Sequence, residues 1–157
     1  MKERTVCFTG HRTIPMLKKK KIERTLINTL ETLIEEGYCY FGAGGALGFD
    51  TMAALAVLEL KKKYSHIKLI LVLPCKNQVR GWKENDIFQY EKIMSLADKV
   101  VYTSEVYYDG CMHKRNRHLI DNSSVCVCYL TENRGGTAYT VSYAKKNGKK
   151  IINIAEE

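Results

Sequence analysis

The sequence predicts an α/β fold of three layers, in which helices cover both faces of a mostly parallel sheet of about six strands. Two observations predict it. Short apolar runs alternate with segments of helical periodicity along the 157 residues, and parallel strands need such crossover helices. Three of these runs lead into glycine-marked turns that directly precede a helical segment, in TVCFTGHR, YFGAGGALGFD and VCVCYLTENRGGT.

The first half of the chain is predicted to contain three strands and two helices. Residues 5–9 form an apolar run with β-branched side chains, which is typical of a buried strand. Residues 16–36 carry apolar side chains at three-and-four spacing and lead into a glycine, as an amphipathic helix does. Residues 38–41 are a second strand. Residues 50–63 are a helix that is apolar on most sides, so we expect it in the middle of the domain. Residues 67–73 read IKLILVL, which predicts a central parallel strand.

The same alternation continues in the second half of the chain, after a polar and irregular segment at residues 76–86. The predicted helices are 87–97, 112–122 and 137–147, and the predicted strands are 99–102, 124–130 and 150–154. Because crossovers between parallel strands are right-handed, few topologies remain. We therefore expect residues 1–157 to form one Rossmann-like domain.

Composition and charge narrow the class of protein. No apolar run reaches the roughly 20 residues of a membrane span, and the N-terminal segment is not expected to be a signal peptide. The six cysteines contain no CxxC pair, so we expect reduced thiols in a cytoplasmic protein. Histidines lack ligand spacing relative to these cysteines, and neither a metal nor a cofactor is predicted. No membrane partner is expected.

The net charge is +8, and lysines cluster at residues 18–21, 61–63 and 145–150. Two interpretations remain open. Lysines at helix C-termini complement the helix dipole, which fits the lysines at residues 61–63 and at 145 and 146. A nucleic-acid surface is the alternative, although it is not favoured. The apolar helix at residues 50–63 has more apolar surface than one sheet face covers, which makes a homo-oligomer a further expectation.

The glycine-marked turns predict a site for an anion. Free backbone N–H groups at a junction of strand, turn and helix favour a negatively charged ligand, most often a phosphate. Parallel strands bring such junctions to the carboxyl edge of the sheet. The predicted donors of backbone and hydroxyl hydrogen bonds are Thr9, Gly10, Gly42, Gly44, Gly45, Gly48, Gly135, Gly136 and Thr137. The alternatives are tight helix–strand packing for the glycines and an ordinary helix cap for Thr137. Arg134, just before the third turn, either adds positive charge there or faces water.

Charged side chains beside the first two turns belong to the same predicted site. Arg12 carries a planar charged fork that suits a phosphate or a carboxylate. His11 is either a polar ligand contact or a structural plug on the sheet edge. Asp50 falls at a helix start, where it is expected as a cap or as an acceptor for ribose hydroxyls.

The later segments supply four more candidates. Gln78 and Trp82 follow the strand at residues 67–73, and Trp82 either stacks on a base or anchors its loop on the body of the domain. Arg115 is predicted to reach a phosphate, with a surface ion pair as the alternative. Asn116 is predicted to bind ribose or base.

These motifs occur in one order that resembles the SLOG superfamily, in particular its small stand-alone YpsA-type branch. They are TGHR at 9–12, GAGGALGFD at 42–50, LVLP followed by Gln78 and Trp82, Lys114-Arg115-Asn116 with Asp121, and GGT before the helix with Tyr143-Ala144. The resemblance covers nearly the whole chain. It implies a Rossmann-like fold related to DprA and to the lysine-decarboxylase-like "lonely guy" proteins. It also implies that a nucleotide or nucleotide-derived ligand binds at the glycine loops, with Asp121 beside ribose or holding the loops.

One departure bears on catalysis. The phosphoribohydrolase branch has the pattern PGGxGTxxE, in which the glutamate and an arginine act on the N-glycosidic bond. Here the segment reads RGGTAYTVSYA and no glutamate follows on the helix. Such cleavage needs a carboxylate beside an oxocarbenium-like transition state, and Asp50 and Asp121 are the candidates. The leading prediction is therefore binding or sensing of a nucleotide-like small molecule. The alternatives are an N-glycosidase and a DprA-like binder of single-stranded DNA.

Overall fold

Within residues 1–155, which the structure describes, six strands form one parallel sheet in the order β4-β3-β2-β1-β5-β6. The structure is a computed structural model. All five strand pairings are parallel. The strands are β1 (Thr5–Gly10), β2 (Tyr40–Ala43), β3 (Lys68–Leu73), β4 (Lys99–Tyr102), β5 (Val125–Tyr129) and β6 (Lys150–Asn153). The predicted α/β fold and its six strands are confirmed.

Five α-helices connect the strands, and two 3-10 turns, Lys2–Arg4 and Met16–Lys18, precede β1 and the first helix. The helices are α1 (Lys19–Glu35), α2 (Phe49–Lys61), α3 (Glu84–Leu96), α4 (Cys111–Asp121) and α5 (Gly135–Lys146). No helix in residues 1–155 is both long enough and apolar enough to cross a membrane.

Alternation along the strands divides the core into two layers. In β1, Val6 and Phe8 belong to the apolar cluster that contains the buried faces of α1, α2 and α3. Cys7, which points to the opposite face of the sheet, packs with Leu119 of α4 and Val141 of α5. Helices therefore cover both faces of the sheet. All six cysteines are buried, and none of them forms a disulfide within residues 1–155.

The sequence predicts that both β3 and α2 lie in the middle of the domain. β3 lies one strand in from the edge and not at the centre, although its side chains enter both core layers. α2 packs between α1 and α3 and against three strands, and its Phe49, Ala53 and Val57 are fully buried. The apolar surface of α2 that suggested a homo-oligomer is thus largely covered within the chain, so this helix gives no argument for a second copy.

Candidate functional site

The strand order reverses direction between β1 and β5. The chain runs from β1 outward to β4 on one side of β1, and then returns to place β5 and β6 on the other side. Helices diverge at such a point, which leaves a crevice outside the carboxyl ends of the two strands. A cavity of about 490 Å³ lies there, lined by the end of β1, the residues after β5 and the first turns of α4 and α5.

The cavity brings together predicted residues from distant parts of the sequence. They are Thr9, Gly10, His11, Arg12, Asp50, Arg115, Asn116, Gly135, Gly136 and Thr137. Ala46, Met112, Glu132 and Arg134 complete the lining. The carboxyl ends of β1 and β5 and the starts of α2, α4 and α5 therefore converge on one cavity.

The N-terminus of α5 forms one wall. Arg134 occupies the N-cap position, and no side chain caps the helix. Thr137 lies inside the first turn, so it is not the ordinary cap that the sequence left open. The first N–H groups of an uncapped helix carry partial positive charge. Exposed Arg12 and Arg134 add full charges to the lining, and Glu132 lies 3.7 Å from Nε of Arg134.

Arg115 and Asp50 occupy the opposite, buried wall. Arg115 is 4% exposed and donates from Nη1 to the carbonyl oxygen of Gly44 and from Nε to Oδ1 of Asn116, at 2.7 Å for the latter. Asp50 Oδ2 accepts the N–H of Ala46 at 3.3 Å. Arg115 is therefore a buried structural cation and not the surface ion pair that the sequence left open.

The pKa values of this pair reflect their burial. Burial raises the pKa of the Asp50 carboxyl, while the charge of Arg115, the N–H of Ala46 and the charge of Arg12 oppose that rise. Burial also lowers the pKa of Arg115, and the carboxylate of Asp50 opposes that change. Each group thus favours the charged form of the other in a place that is largely shielded from water.

His11 ties the end of β1 to two neighbouring elements. Its Nε2 accepts the N–H of Thr131 at 2.9 Å, so the neutral ring carries its proton on Nδ1. Its backbone N–H donates to Tyr129, and its carbonyl oxygen accepts the N–H of Phe49 at the start of α2, at 3.3 Å and 3.1 Å. These bonds match the structural plug among the two roles predicted for His11, and its ring also lines the cavity.

Several predicted glycines lie behind the cavity and serve packing. A Cβ on Gly42 would lie 2.9 Å from Leu119, and one on Gly44 would lie 2.4 Å from Nη1 of Arg115. Gly48 has a φ of +81°, and a Cβ there would lie 2.2 Å from the carbonyl oxygen of Arg12. Gly45 adjoins Leu73. The packing alternative for these glycines is therefore the one that their surroundings support.

Three predicted side chains lie outside the cavity lining. Gln78 is buried and donates from Nε2 to the hydroxyl of Tyr90 at 3.4 Å. Trp82 packs edge-on against the Tyr90 ring with centroids 5.4 Å apart, as a loop anchor would. Asp121 lies in the last turn of α4, where its Oδ1 accepts the hydroxyl of Tyr143 at 2.7 Å.

Three lining residues, Ala46, Met112 and Glu132, are not among those predicted from the sequence, which leaves Arg134 open as either an added charge or a side chain in water. Glu132 and Arg134 lie between the end of β5 and the start of α5, so their position beside the glycine pair was the available signal. Met112 lies in the first turn of α4, and Ala46 in the glycine-rich loop. Neither residue type carries a chemical signal of its own.

Comparison with known proteins places the chain in a family. The YpsA family model, described as the YspA SLOG family, matches residues 6–155. The chain is 32% identical over 139 residues to YoqJ of Bacillus subtilis strain 168, an uncharacterized SPbeta prophage-derived protein, and the match covers 80% of this chain and 81% of YoqJ.

Two solved structures share the fold. DprA of Streptococcus pneumoniae superposes with a TM-score of 0.68 at 20% identity, over 96% of this chain and 50% of DprA. DprA of Helicobacter pylori, whose structure concerns its single-stranded DNA binding mode, gives 0.67 at 20% identity, over 94% of this chain and 63% of that protein. This chain thus matches only part of each DprA. The family model, in contrast, spans nearly all of residues 1–155, and the chain belongs to the YpsA-type SLOG family.

Proposed function

We propose that the protein binds a nucleotide or a nucleotide-derived ligand in the cavity between β1 and β5. One observation carries the proposal: the uncapped N-terminus of α5 and two exposed guanidinium groups, of Arg12 and Arg134, line the same cavity. A phosphate beside this helix start would accept backbone N–H bonds and meet the positive end of the dipole. The arginines would neutralise its charge.

The remaining lining suits the uncharged part of such a ligand. Oδ1 of Asn116 already accepts a bond from Arg115, which leaves the amide N–H groups of Asn116 to donate. Asp50 supplies a carboxylate acceptor for ribose hydroxyls. The volume of about 490 Å³ lies in the range of roughly 300–1,000 Å³ that is usual for small-molecule sites. A cytoplasmic setting is part of the proposal, because reducing compartments keep thiols such as these six from forming disulfides.

Calorimetric titration with AMP, ADP-ribose and NAD tests the proposal. Arg12→Gln and Arg134→Gln should each weaken binding about tenfold or more, because a hydrogen bond to a charged group contributes about 1.5–3 kcal/mol. Arg24→Gln is the matched control, since Arg24 is an exposed arginine of α1 outside the cavity lining. Absence of heat and of any thermal shift across the panel would contradict the proposal, as would an equal loss in the control.

Binding of single-stranded DNA is the second candidate. It is favoured by the fold shared with Helicobacter pylori DprA, whose structure concerns that activity, and by the net charge of +8. Binding of an oligothymidylate should then weaken steeply with salt, with a slope of about 0.7 in the logarithm of salt concentration for each phosphate neutralised. Salt-insensitive or absent binding would exclude this candidate.

Hydrolysis of an N-glycosidic bond depends on a carboxylate in the cavity. Of the two aspartates considered, Asp50 lines the cavity and Asp121 does not. If the site only binds, chromatography after incubation with AMP should show no free base. Release of base by the wild type, lost in an Asp50→Asn variant that still binds AMP, would favour the hydrolase instead.

A further inference from the structure

A basic and apolar segment marks the start of α1. Residues 16–21 read MLKKKK, and residues 18–24 contain five cations and one carboxylate. Met16 and Leu17 are 88% and 100% exposed, more than any other large apolar side chain reported for residues 1–155. All four lysines of residues 18–21 are exposed as well.

The stability of the fold does not explain these lysines. Lys19 to Lys21 occupy the first turn of α1, which has neither an acidic residue nor a side-chain cap, and cations are unfavourable at the positive end of a helix dipole. Within residues 1–155 none of the four lysines forms an ion pair. The lysines at the end of α2 differ, because Lys61 pairs with Asp98 and Lys63 with Glu31. A local arrangement that opposes stability without compensation points to a function.

The backbone holds this segment outward. Lys18 donates its N–H to the carbonyl oxygen of Pro15 at 3.0 Å, which closes the 3-10 turn Met16–Lys18. Ile22 and Leu26 anchor the following turns of α1 in the core. A cleft of about 210 Å³ opens beside the turn, with Lys18, Lys21 and Thr131 in its lining. The apolar pair and the cations are therefore exposed together and form a surface at the start of α1.

We propose that this surface docks on a bilayer that contains anionic phospholipid. Met16 and Leu17 enter the interface between headgroups and acyl chains, and the lysines neutralise headgroup phosphates, one of which fits the cleft. Peripheral membrane contacts combine these two elements, an apolar insertion and a polybasic cluster. Sites for single-stranded nucleic acid instead add stacking aromatic rings to the cations, and residues 12–25 contain no aromatic residue.

This docking needs no membrane-spanning segment, and it departs from the sequence-based expectation that the protein has no membrane partner. It is also independent of the proposed nucleotide site, because none of residues 16–21 lines that cavity. Nucleotide titration of each variant described below should therefore give wild-type affinity.

Flotation with vesicles tests the proposal. The wild type should bind vesicles of equal parts phosphatidylcholine and phosphatidylglycerol and not vesicles of phosphatidylcholine alone. Replacing Lys18, Lys19, Lys20 and Lys21 by Gln should weaken partitioning about a thousandfold, because each surface lysine contributes about fivefold. Met16→Ser with Leu17→Ser should weaken it by about tenfold or more.

Two matched controls separate this surface from general charge and apolarity. Replacing Lys145, Lys146, Lys149 and Lys150 by Gln removes the same charge elsewhere, and Phe88→Ser removes an apolar side chain that is 71% exposed. Both controls should partition as the wild type does. Absence of wild-type binding to the anionic vesicles, or equal losses in the controls, would overturn the proposal. Binding of an oligothymidylate that needs the four lysines, with vesicle binding indifferent to Met16 and Leu17, would assign the surface to nucleic acid instead.

Discussion

An alanine at Gly44 tests how the buried wall of the cavity is held. The added Cβ would lie 2.4 Å from Nη1 and 2.6 Å from Cζ of Arg115, and 2.8 Å from Oδ2 of Asp50. Carbon atoms do not approach such groups so closely, so something must move. Arg115 donates both to the Gly44 carbonyl oxygen and to Asn116, so it can retreat only by giving up these bonds.

Overpacking of this kind costs about 1–3 kcal/mol. For a domain of this size each kcal/mol lowers the melting temperature by about 2–4 °C, so Gly44→Ala should melt about 2–12 °C below the wild type in scanning calorimetry. Nucleotide affinity should fall as well, because Asn116 loses the bond from Arg115 that orients its amide.

Gly136→Ala is the matched control, since the same methyl group there meets no atom within 4 Å. The melting temperature of this variant should equal or exceed that of the wild type, because replacing glycine in a helix stabilises by up to about 1 kcal/mol. Its nucleotide affinity should nevertheless fall, since the methyl group enters the lining at the start of α5. A Gly44→Ala protein that melts with the wild type would refute the reasoning about Arg115.

Four further outcomes are expected. Burial raises the pKa of Asp50, so the stabilisation from its bound proton is lost as the pH rises through that raised pKa. The free energy of unfolding of Asp50→Asn, relative to that of the wild type, should therefore increase as the pH rises above 3.8, the ordinary pKa value. Urea unfolding at a series of pH values measures this difference. Gly48→Ala should destabilise by at least about 1 kcal/mol, because a positive φ and the carbonyl oxygen of Arg12 both oppose a side chain; unchanged urea unfolding would contradict this. Asp121→Asn should leave nucleotide titrations unchanged, whereas a large loss would return Asp121 to the site. Arg115→Lys should lower the free energy of unfolding by about 1–3 kcal/mol, because acceptors are left unpaired. Arg12→Lys should have a free energy of unfolding within about 0.5 kcal/mol of the wild-type value, and urea unfolding measures both.

Local patterns were sufficient to predict the elements of this fold. The strand at residues 99–102 has the predicted bounds, and the other strands and helices differ only at their ends. α3 begins at Glu84, three residues before the predicted start. Its first turn is polar, with acidic residues that suit the dipole, so the apolar periodicity that predicted the helix begins later. The place of β3 in the sheet depends on which strands pair, and no local pattern contains that information.

The sequence predicts where the site lies better than it predicts the role of each residue in it. Glycine turns at strand ends indicated where the chain would converge, because parallel strands share a carboxyl edge. Gly44 and Gly136 nevertheless look alike in sequence and differ in their surroundings. Gly44 contacts Arg115, 71 residues away along the chain, whereas Gly136 faces open space. Long-range contacts of this kind decide whether a glycine packs against a helix, against a buried side chain or against a ligand.

Arg12 and Arg115 also have different roles in the fold, although the sequence does not distinguish them. From the sequence, Arg12 and Arg115 are both predicted to contact a phosphate. In the fold Arg115 donates to Gly44 and Asn116 and lies beside Asp50, so it holds the wall of the cavity in place. Arg12 lies exposed at the mouth with Arg134. An entering phosphate would therefore meet exposed charge at the rim and backbone N–H groups at the start of α5, while the buried cation sets the direction of the Asn116 amide.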